Sequence, residues 1–277
     1  MPVYEPFALI ALGVLAGTYG VIIGAGGGFI LGPMLILIWG LSPAVAVGTS
    51  TASVLITAIS GAQGYRRARI IDYRSGVLFG VAGVPGAALG AFAVAKAPGG
   101  VVQISMGAML VTTALYMAAR PVQERPPARA ATGPGAARRP SRSIETASGQ
   151  QHAYTFSEPW AVGVNAVLGV VSTFFGIGGG LMRVPLLTYA FSFPVRVAVA
   201  TSVLAMIPVA AMGTVTHAAF GNIRWLILLF AGIGVVVGGQ VGAAVAQKLR
   251  QASIVRMLAA GMGVTGAWLI VRGAGWV

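Results

Sequence analysis

Two glycine-rich motifs have the residue types and spacing best suited to bind a ligand through the protein backbone. Gly-Ala-Gly-Gly-Gly occupies residues 24–28 and Gly-Ile-Gly-Gly-Gly occupies residues 176–180, both within apolar sequence. Consecutive glycines destabilise a helix. A helix that ends there and restarts at Phe29 or Leu181 would present free N–H groups and the positive end of its dipole to an anion. Close helix packing is the alternative, and a nucleotide site fits less well because no strand-turn-helix surrounds the glycines.

Two hydroxyl pairs lie close to the glycine motifs in the sequence. Thr49 and Ser50, and again Thr201 and Ser202, stand near the start of a long apolar segment. A hydroxyl there could donate to an oxyanion or bond to the backbone of its own helix. Bonding within the helix is the common use in membrane helices. The occurrence of both pairs near a glycine motif favours contact with a bound anion.

A single arginine follows the second glycine motif. Arg183 lies three residues after Gly180 inside an apolar segment, and none of the apolar segments holds a carboxylate to pair with it. A buried arginine in a membrane faces a cavity or a partner, and its planar guanidinium matches a sulfonate or carboxylate through two hydrogen bonds. Snorkelling to a lipid headgroup is the alternative. We favour anion binding for Arg183 and snorkelling for Arg196 and Arg256, which begin later segments.

These features define one set of candidate substrate-binding residues and no catalytic or metal site. The set is Gly26, Gly27, Gly28, Thr49, Ser50, Gly178, Gly179, Gly180, Arg183, Thr201 and Ser202. All 5 acidic residues lie in loops or at segment edges, and the chain has no cysteine. The apolar segments thus offer no nucleophile, carboxylate pair or metal cluster. We expect no enzyme activity, no metal and no cofactor.

The candidate residues fall in an internal duplication. Residues 20–91 recur at a constant shift of 152 residues, so that Pro33 matches Pro185. Arg183 breaks the match, because its counterpart is Leu31. A duplicated apolar chain in which each half carries a glycine-interrupted segment is typical of secondary transporters.

The composition places the chain in a membrane. It is 57% hydrophobic and 8% charged with a mean hydropathy of +0.87, which leaves too little charge for the surface of a soluble domain. Most apolar segments reach the ~17 to 25 residues that a spanning helix needs. The second and seventh are short and follow the glycine motifs, so we expect broken or re-entrant helices there. We predict an all-α integral membrane protein with ten apolar segments at about 7–23, 29–41, 43–62, 75–95, 101–119, 160–175, 181–193, 195–215, 225–246 and 254–271.

The net charge of +13 is concentrated in the predicted membrane loops, which argues against a nucleic-acid surface. Arginines cluster at 66–74 and 120–142, and a shorter basic stretch follows at 248–250. If all ten segments cross, these three loops share one face. The positive-inside rule makes that face cytoplasmic and puts both termini outside.

The charge bias also predicts how the two repeats are related. The loop at 66–74 is strongly basic, whereas Arg224 is the only basic residue of its counterpart at 218–227. The reversal predicts two five-segment units related by an axis in the membrane plane, that is, inverted repeats. If the two short segments turned back, each unit would have four spans and the repeats would be parallel. We favour inversion because it alone explains the reversed charges.

A stretch of different composition separates the repeats. Residues 120–157 are rich in Pro, Ala, Gly, Ser and Arg and contain few large aliphatic residues, so we predict a flexible basic cytoplasmic linker. Its arginines would set the topology, with contact to anionic lipid headgroups as an alternative. The first transmembrane repeat is therefore residues 1–119, and the second is residues 158–277.

The doubled motifs resemble those of the sulfite exporter TauE/SafE family of permeases, also described as the toluene-sulfonate uptake permease group. The similarity consists of Gly-x-Gly-Gly-Gly, a proline five residues later and a following Ala-x-x-Thr-Ser. These elements occur here at 24–28, 33 and 46–50, and again at 176–180, 185 and 198–202. The resemblance covers both repeats and implies a permease for sulfur-containing anions such as sulfite, organosulfonates or sulfocarboxylates.

The sequence therefore predicts a secondary transporter in the bacterial inner membrane that works by alternating access at the repeat interface. Its expected partners are a small anion and the lipid bilayer, and nucleic acid is not expected. An anion channel and a non-transporting scaffold, whose glycines serve packing alone, are the alternatives. The sequence leaves open whether copies of the chain form a homo-oligomer.

Overall fold

The computed structural model describes residues 4–119, 141–145 and 151–274, and its helices follow the apolar segments of the sequence. Within those ranges the chain forms ten α-helices and two short strands. The helices are α1 (Tyr4–Ile22), α2 (Gly28–Leu37), α3 (Pro43–Ala68), α4 (Tyr73–Lys96), α5 (Gly99–Ala119), α6 (Glu158–Phe175), α7 (Gly180–Pro185), α8 (Val195–Ala219), α9 (Trp225–Lys248) and α10 (Gln251–Gly273). A π-helical turn, Leu186–Ala190, continues α7.

The helix lengths confirm the predicted membrane architecture. Eight of the described helices are long and apolar enough to cross a membrane. The other two are α2, with 10 residues, and α7, with 6. These short helices are the ones that follow the glycine motifs, as predicted. The chain is a multi-pass membrane protein.

The two repeats interlock through the first helix of one and the fourth helix of the other. α1 packs along α9, and α6 packs along α4. Glycines let the backbones touch, since a Cβ on Gly13 would clash with the carbonyl oxygen of Ala231, and one on Gly86 with that of Ala166. Such close approach is how helices associate where no hydrophobic effect drives them together.

Equivalent helices of the two repeats pair in opposite directions. α3 and α8 cross at the centre of the molecule, where Gly61 lies beside Val203 and Gly213 lies beside Thr51. The residue numbers therefore rise in opposite directions along the pair. α5 and α10 are antiparallel in the same way, with contacts at Gly100 and Gly273, at Gly107 and Gly266, and at Gly263 and Ala114.

Part of the predicted flexible linker has a regular structure. β1 (Ser141–Glu145) pairs antiparallel with β2 (Gln151–Thr155), which the composition had not predicted. Tyr154 and Phe156 are buried, with ring centroids 4.3 Å and 4.9 Å from that of Phe193. The aromatic residues at the end of the linker supply the apolar surface that the rest of it lacks. The prediction of flexibility for 120–140 and 146–150 falls outside the described residues.

Candidate functional site

Both glycine motifs break the chain between two helices. Gly27 caps α2 with a φ of 75°, and Gly179 caps α7 with a φ of 69°. Positive φ recurs at matching positions of the two motifs, namely Gly24, Gly26 and Gly27 in the first and Gly176, Gly178 and Gly179 in the second. Left-handed backbone of this kind strains any residue with a Cβ. The glycines are therefore needed for the breaks themselves. We call residues 23–27 the first break and residues 176–179 the second break.

The two breaks meet at the centre of the molecule. Gly26 and Gly178 both lie against Val54, near the middle of α3, and against Met206, near the middle of α8. A Cβ on Gly28 would clash with the carbonyl oxygen of Gly176, and a Cβ on Gly180 with that of Gly24. The first residue of each short helix thus packs against the opposite break. Gly28 and Gly180 serve close backbone packing in this structure, and a ligand contact for them stays a prediction.

Arg183 projects from the first turn of α7 into the protein interior. Its side chain has a relative exposure of 0%, and its Nε donates a hydrogen bond of 2.7 Å to Oδ1 of Asn165 on α6. Its two terminal amino groups, Nη1 and Nη2, are buried and have no hydrogen-bond partner among the described residues. We call them the open amino groups. A fully enclosed guanidinium does not fit the snorkelling alternative, which requires the charged end to reach water.

Among the described residues, no acidic side chain forms an ion pair with Arg183. The ion pair found there joins Arg74 and Glu158 at 3.4 Å. Asn165 is a partner that the sequence did not single out, because a polar side chain inside an apolar membrane segment most often bonds to a neighbouring helix. The signal was the presence of two polar residues, 165 and 183, in segments that flank one glycine motif.

The family assignment rests on matches that span nearly the whole chain. A model of the sulfite exporter TauE/SafE family matches residues 9–269. The chain belongs to the sulfite exporter TauE/SafE family. It is 30% identical over 272 residues to "Probable membrane transporter protein YunE" of Bacillus subtilis, a match that covers 96% of this chain and 97% of the relative.

More distant relatives of this TauE/SafE protein carry the same description. It is 26% identical over 279 residues to "Probable membrane transporter protein MJ0441" of Methanocaldococcus jannaschii, covering 95% of this chain and 94% of that one. It is 26% identical over 252 residues to a "Probable membrane transporter protein" of Xylella fastidiosa, covering 90% and 88%. No solved structure matches the chain. The family is one of membrane transporters.

The serines of the two hydroxyl pairs bind the breaks of this TauE/SafE protein across the repeats. Ser50 on α3 donates to the carbonyl of Gly176 at 3.1 Å, and Ser202 on α8 donates to the carbonyl of Gly24 at 3.0 Å. Ser50 also lies 3.0 Å from the carbonyl of Val47 in its own helix. Each hydroxyl thus holds the break of the opposite repeat, a use that was not weighed from the sequence, and Ser50 also makes the predicted bond within its own helix.

The threonines of the pairs point to loops rather than to the breaks. Thr49 donates to the carbonyl of Val45 at 2.8 Å and accepts from the backbone N–H of Arg224 at 3.1 Å. Thr201 accepts from the backbone N–H of Asp72 at 3.1 Å. These bonds fix the loops that precede α9 and α4. The structure brings Ser50, Ser202 and the glycines together, and it separates the threonines from them.

A cavity lies beside α7 in the second repeat of this TauE/SafE protein. It has a volume of about 320 Å³ and is lined by Thr112, Thr113, Tyr116, Met182, Pro185, Leu186, Tyr189 and Ala190, that is, by α5, α7 and the π-helical turn. On the equivalent face of the other repeat, Tyr19 donates to the carbonyl of Met257 and packs against Gly261 on α10. The π-helical turn has no counterpart in α2, whose helix runs to Leu37.

The cross-repeat serine bonds lead to a prediction about stability. Ser202→Ala removes the bond to the Gly24 carbonyl, and we expect it to lower the free energy of unfolding by about 1 kcal/mol and to slow transport without weakening substrate affinity. Ser60→Ala is the matched control, because Ser60 bonds to the carbonyl of Val236 away from both breaks. Thermal unfolding in detergent and concentration-dependent uptake provide the measurements. A large loss of affinity in Ser202→Ala at unchanged stability would instead make the serine a direct ligand.

Proposed function

We propose that this protein is a secondary transporter for small sulfur-containing oxyanions, such as sulfite, sulfonates or sulfocarboxylates. The substrate binds at the repeat interface beside the second break, and alternating access carries it across the membrane. The observation that supports this most is the buried guanidinium of Arg183 with its open amino groups.

The open amino groups favour an anionic substrate for an energetic reason. Burying a charge without a partner costs several kcal/mol, and the side chain of Arg183 is fully enclosed by the protein. Asn165 satisfies Nε but supplies no negative charge. An oxyanion would supply the charge and two acceptor oxygens, and charge-assisted hydrogen bonds of this kind are the strong ones. The positive N-terminal end of α7 adds to the attraction.

We infer that the two repeats are inverted relative to each other. The support is that α3 runs antiparallel to its equivalent α8, and α5 to its equivalent α10, because a two-fold axis that relates antiparallel helices is perpendicular to them. For helices that cross a membrane, such an axis lies in the membrane plane. The reversed arginine bias agrees with it.

Alternating access then follows from the asymmetry between the repeats. In an inverted-repeat carrier the two repeats hold different conformations and exchange them to open the opposite side. The π-helical turn at Leu186–Ala190, where α2 continues as an α-helix to Leu37, is such a difference. The π-helical turn after Pro185 is the local change that α2 would adopt in the other state.

The topology gives a second prediction. We expect the arginine-rich loop before α4 and the segment between α5 and α6 to lie in the cytoplasm, and both termini to lie outside, in a bacterial inner membrane. Reporter fusions at the C-terminus and within residues 120–140 provide the measurement. A cytoplasmic C-terminus, or a linker reached from the periplasm, would contradict the inverted arrangement.

Purified protein in liposomes tests the proposed function. Uptake of radiolabelled sulfite, methanesulfonate, sulfoacetate and acetate is measured over a range of concentrations, with and without a pH gradient. A carrier gives saturable uptake of at least one sulfur-containing anion. A channel gives flux that rises linearly with concentration, and a scaffold gives none, so either result would remove the proposal.

A further inference from the structure

We infer that Asn165 is a positioning residue that fixes the guanidinium of Arg183 so that its open amino groups bind one oxyanion end-on. The inference rests on the proposed function, since it names how the same site recognises its substrate. It identifies the group that the site recognises as two oxygens on one atom, which a sulfonate, sulfite or a carboxylate presents. It also places a single anion in each chain, within the second repeat.

The amide of Asn165 is held at both of its ends. Its Nδ2 donates to the carbonyl of Ala161 at 2.8 Å, one turn earlier in α6, and its Oδ1 accepts from Nε of Arg183 at 2.7 Å. The donor at one end determines that the oxygen faces the guanidinium, because the reversed amide would point a donor at a donor. Asn165 and Arg183 are both fully buried. The orientation of the guanidinium is therefore set before any anion arrives.

The bond to Nε decides which edge of the guanidinium can meet an anion. Arginine can bind two oxygens side-on, through Nε and one terminal amino group, or end-on, through Nη1 and Nη2. Asn165 occupies Nε, so the end-on edge is the one left to a ligand. Two parallel N–H groups match two oxygens on one carbon or sulfur atom. A halide offers one centre and forms the same pair of bonds with poorer geometry.

The first repeat lacks the two side chains that a second anion site of this type would need. The counterpart of Asn165 is Gly13, where a Cβ would clash with the carbonyl oxygen of Ala231. The counterpart of Arg183 is Leu31, which has a relative exposure of 1%. The packing of α1 on α9 thus leaves no room for a positioning side chain. The anion site lies off the axis that relates the repeats.

The test measures the affinity of the purified protein for methanesulfonate and for chloride by calorimetry. We expect Asn165→Leu to weaken methanesulfonate binding about 10-fold, because the guanidinium loses its fixed orientation. We expect the affinity for chloride to change much less, so the ratio of methanesulfonate affinity to chloride affinity should fall. Gln240→Leu is the matched control, because Gln240 bonds across helices to the carbonyl of Ser60, away from Arg183. It should leave both affinities unchanged.

Asn165→Asp provides a second variant of nearly the same shape. Its carboxylate would pair with Arg183 and neutralise it, so we expect methanesulfonate binding to fall at least as far as in Asn165→Leu while the melting temperature holds. This variant decides the matter if Asn165→Leu does not fold. Wild-type protein should bind one methanesulfonate per chain.

The possible outcomes separate this inference from the proposed function. If wild-type protein binds no oxyanion, the proposed function itself fails. If wild-type binds methanesulfonate and Arg183→Gln does not, but both Asn165 variants keep the affinity and the preference over chloride, the function stands and Asn165 has no positioning role. Two anions per chain would overturn the single off-axis site.

Discussion

We expect Arg183→Gln to lower the affinity for the proposed anion by roughly 10- to 150-fold, because a charge-assisted contact of this kind is worth about 1.5 to 3 kcal/mol. Gln keeps a polar side chain but loses the charge and the pair of terminal donors. The change also removes a buried charge, so the protein should insert and unfold at a similar or higher temperature. Titration of purified protein with sulfite and methanesulfonate measures the effect.

Arg183→Lys separates anion recognition from other uses of a positive charge. Lysine keeps the charge but not the planar pair of donors, so we expect it to restore part of the affinity. Arg196→Gln is the control. Arg196 lies near the start of α8, outside the breaks, and donates a hydrogen bond to the carbonyl of Leu249. Equal affinity in wild type and Arg183→Gln would remove this residue from the site and leave only the backbone of the breaks to bind an anion.

The second large effect is expected at the breaks. Gly27→Leu should abolish transport, because a left-handed conformation costs an ordinary residue about 1 to 2 kcal/mol and a Cβ there would clash with the carbonyl oxygen of Ala16. Gly179→Leu should cause a milder clash than Gly27→Leu, because a Cβ added at Gly179 would lie 3.0 Å from its nearest atom, Cβ of Ser172. Its φ of 69° carries the same strain.

Gly163→Leu is the matched control for the breaks. Gly163 lies within α6, and no atom lies within 4 Å of a Cβ added there, at least among the described residues. We expect it to insert and to transport like the wild type. Membrane fractionation and liposome uptake measure insertion and function separately. Normal uptake in both Gly27→Leu and Gly179→Leu would mean that the breaks are not needed for transport.

The sequence was sufficient to predict those parts of the structure that depend on local chemistry. Long apolar segments form helices wherever they meet the bilayer, and three consecutive glycines destabilise a helix strongly enough to favour a break. The breaks at Gly27 and Gly179 were therefore predictable to within a residue or two. The duplication made the breaks easier to predict, because a pattern that recurs at a fixed spacing supports the same interpretation in both copies.

The long-range partners of the two hydroxyl pairs were not predictable, because they lie in the other repeat. Ser50 and Ser202 were expected near an anion or bonded within their own helices. Ser50 does bond within its helix, but each serine also binds the opposite break. Thr49 lies 175 residues from the N–H that it accepts. Such contacts depend on how the repeats interlock, which composition and periodicity do not specify. The order at Tyr154 and Phe156 was missed for the same reason, since the aromatic residues that cover them come from other elements.

Counterflow in proteoliposomes tests most directly the claim that an anion crosses at the interface of the repeats by alternating access. Vesicles are loaded with unlabelled sulfite or methanesulfonate, whichever the uptake panel favours, and diluted into a trace of the radiolabelled anion. Alternating access predicts that the label rises transiently above its equilibrium level with wild-type protein. If Arg183 binds the anion, Arg183→Gln should show little or no such rise. Equilibration without an overshoot would indicate a channel and contradict the account, and so would an undiminished overshoot in Arg183→Gln.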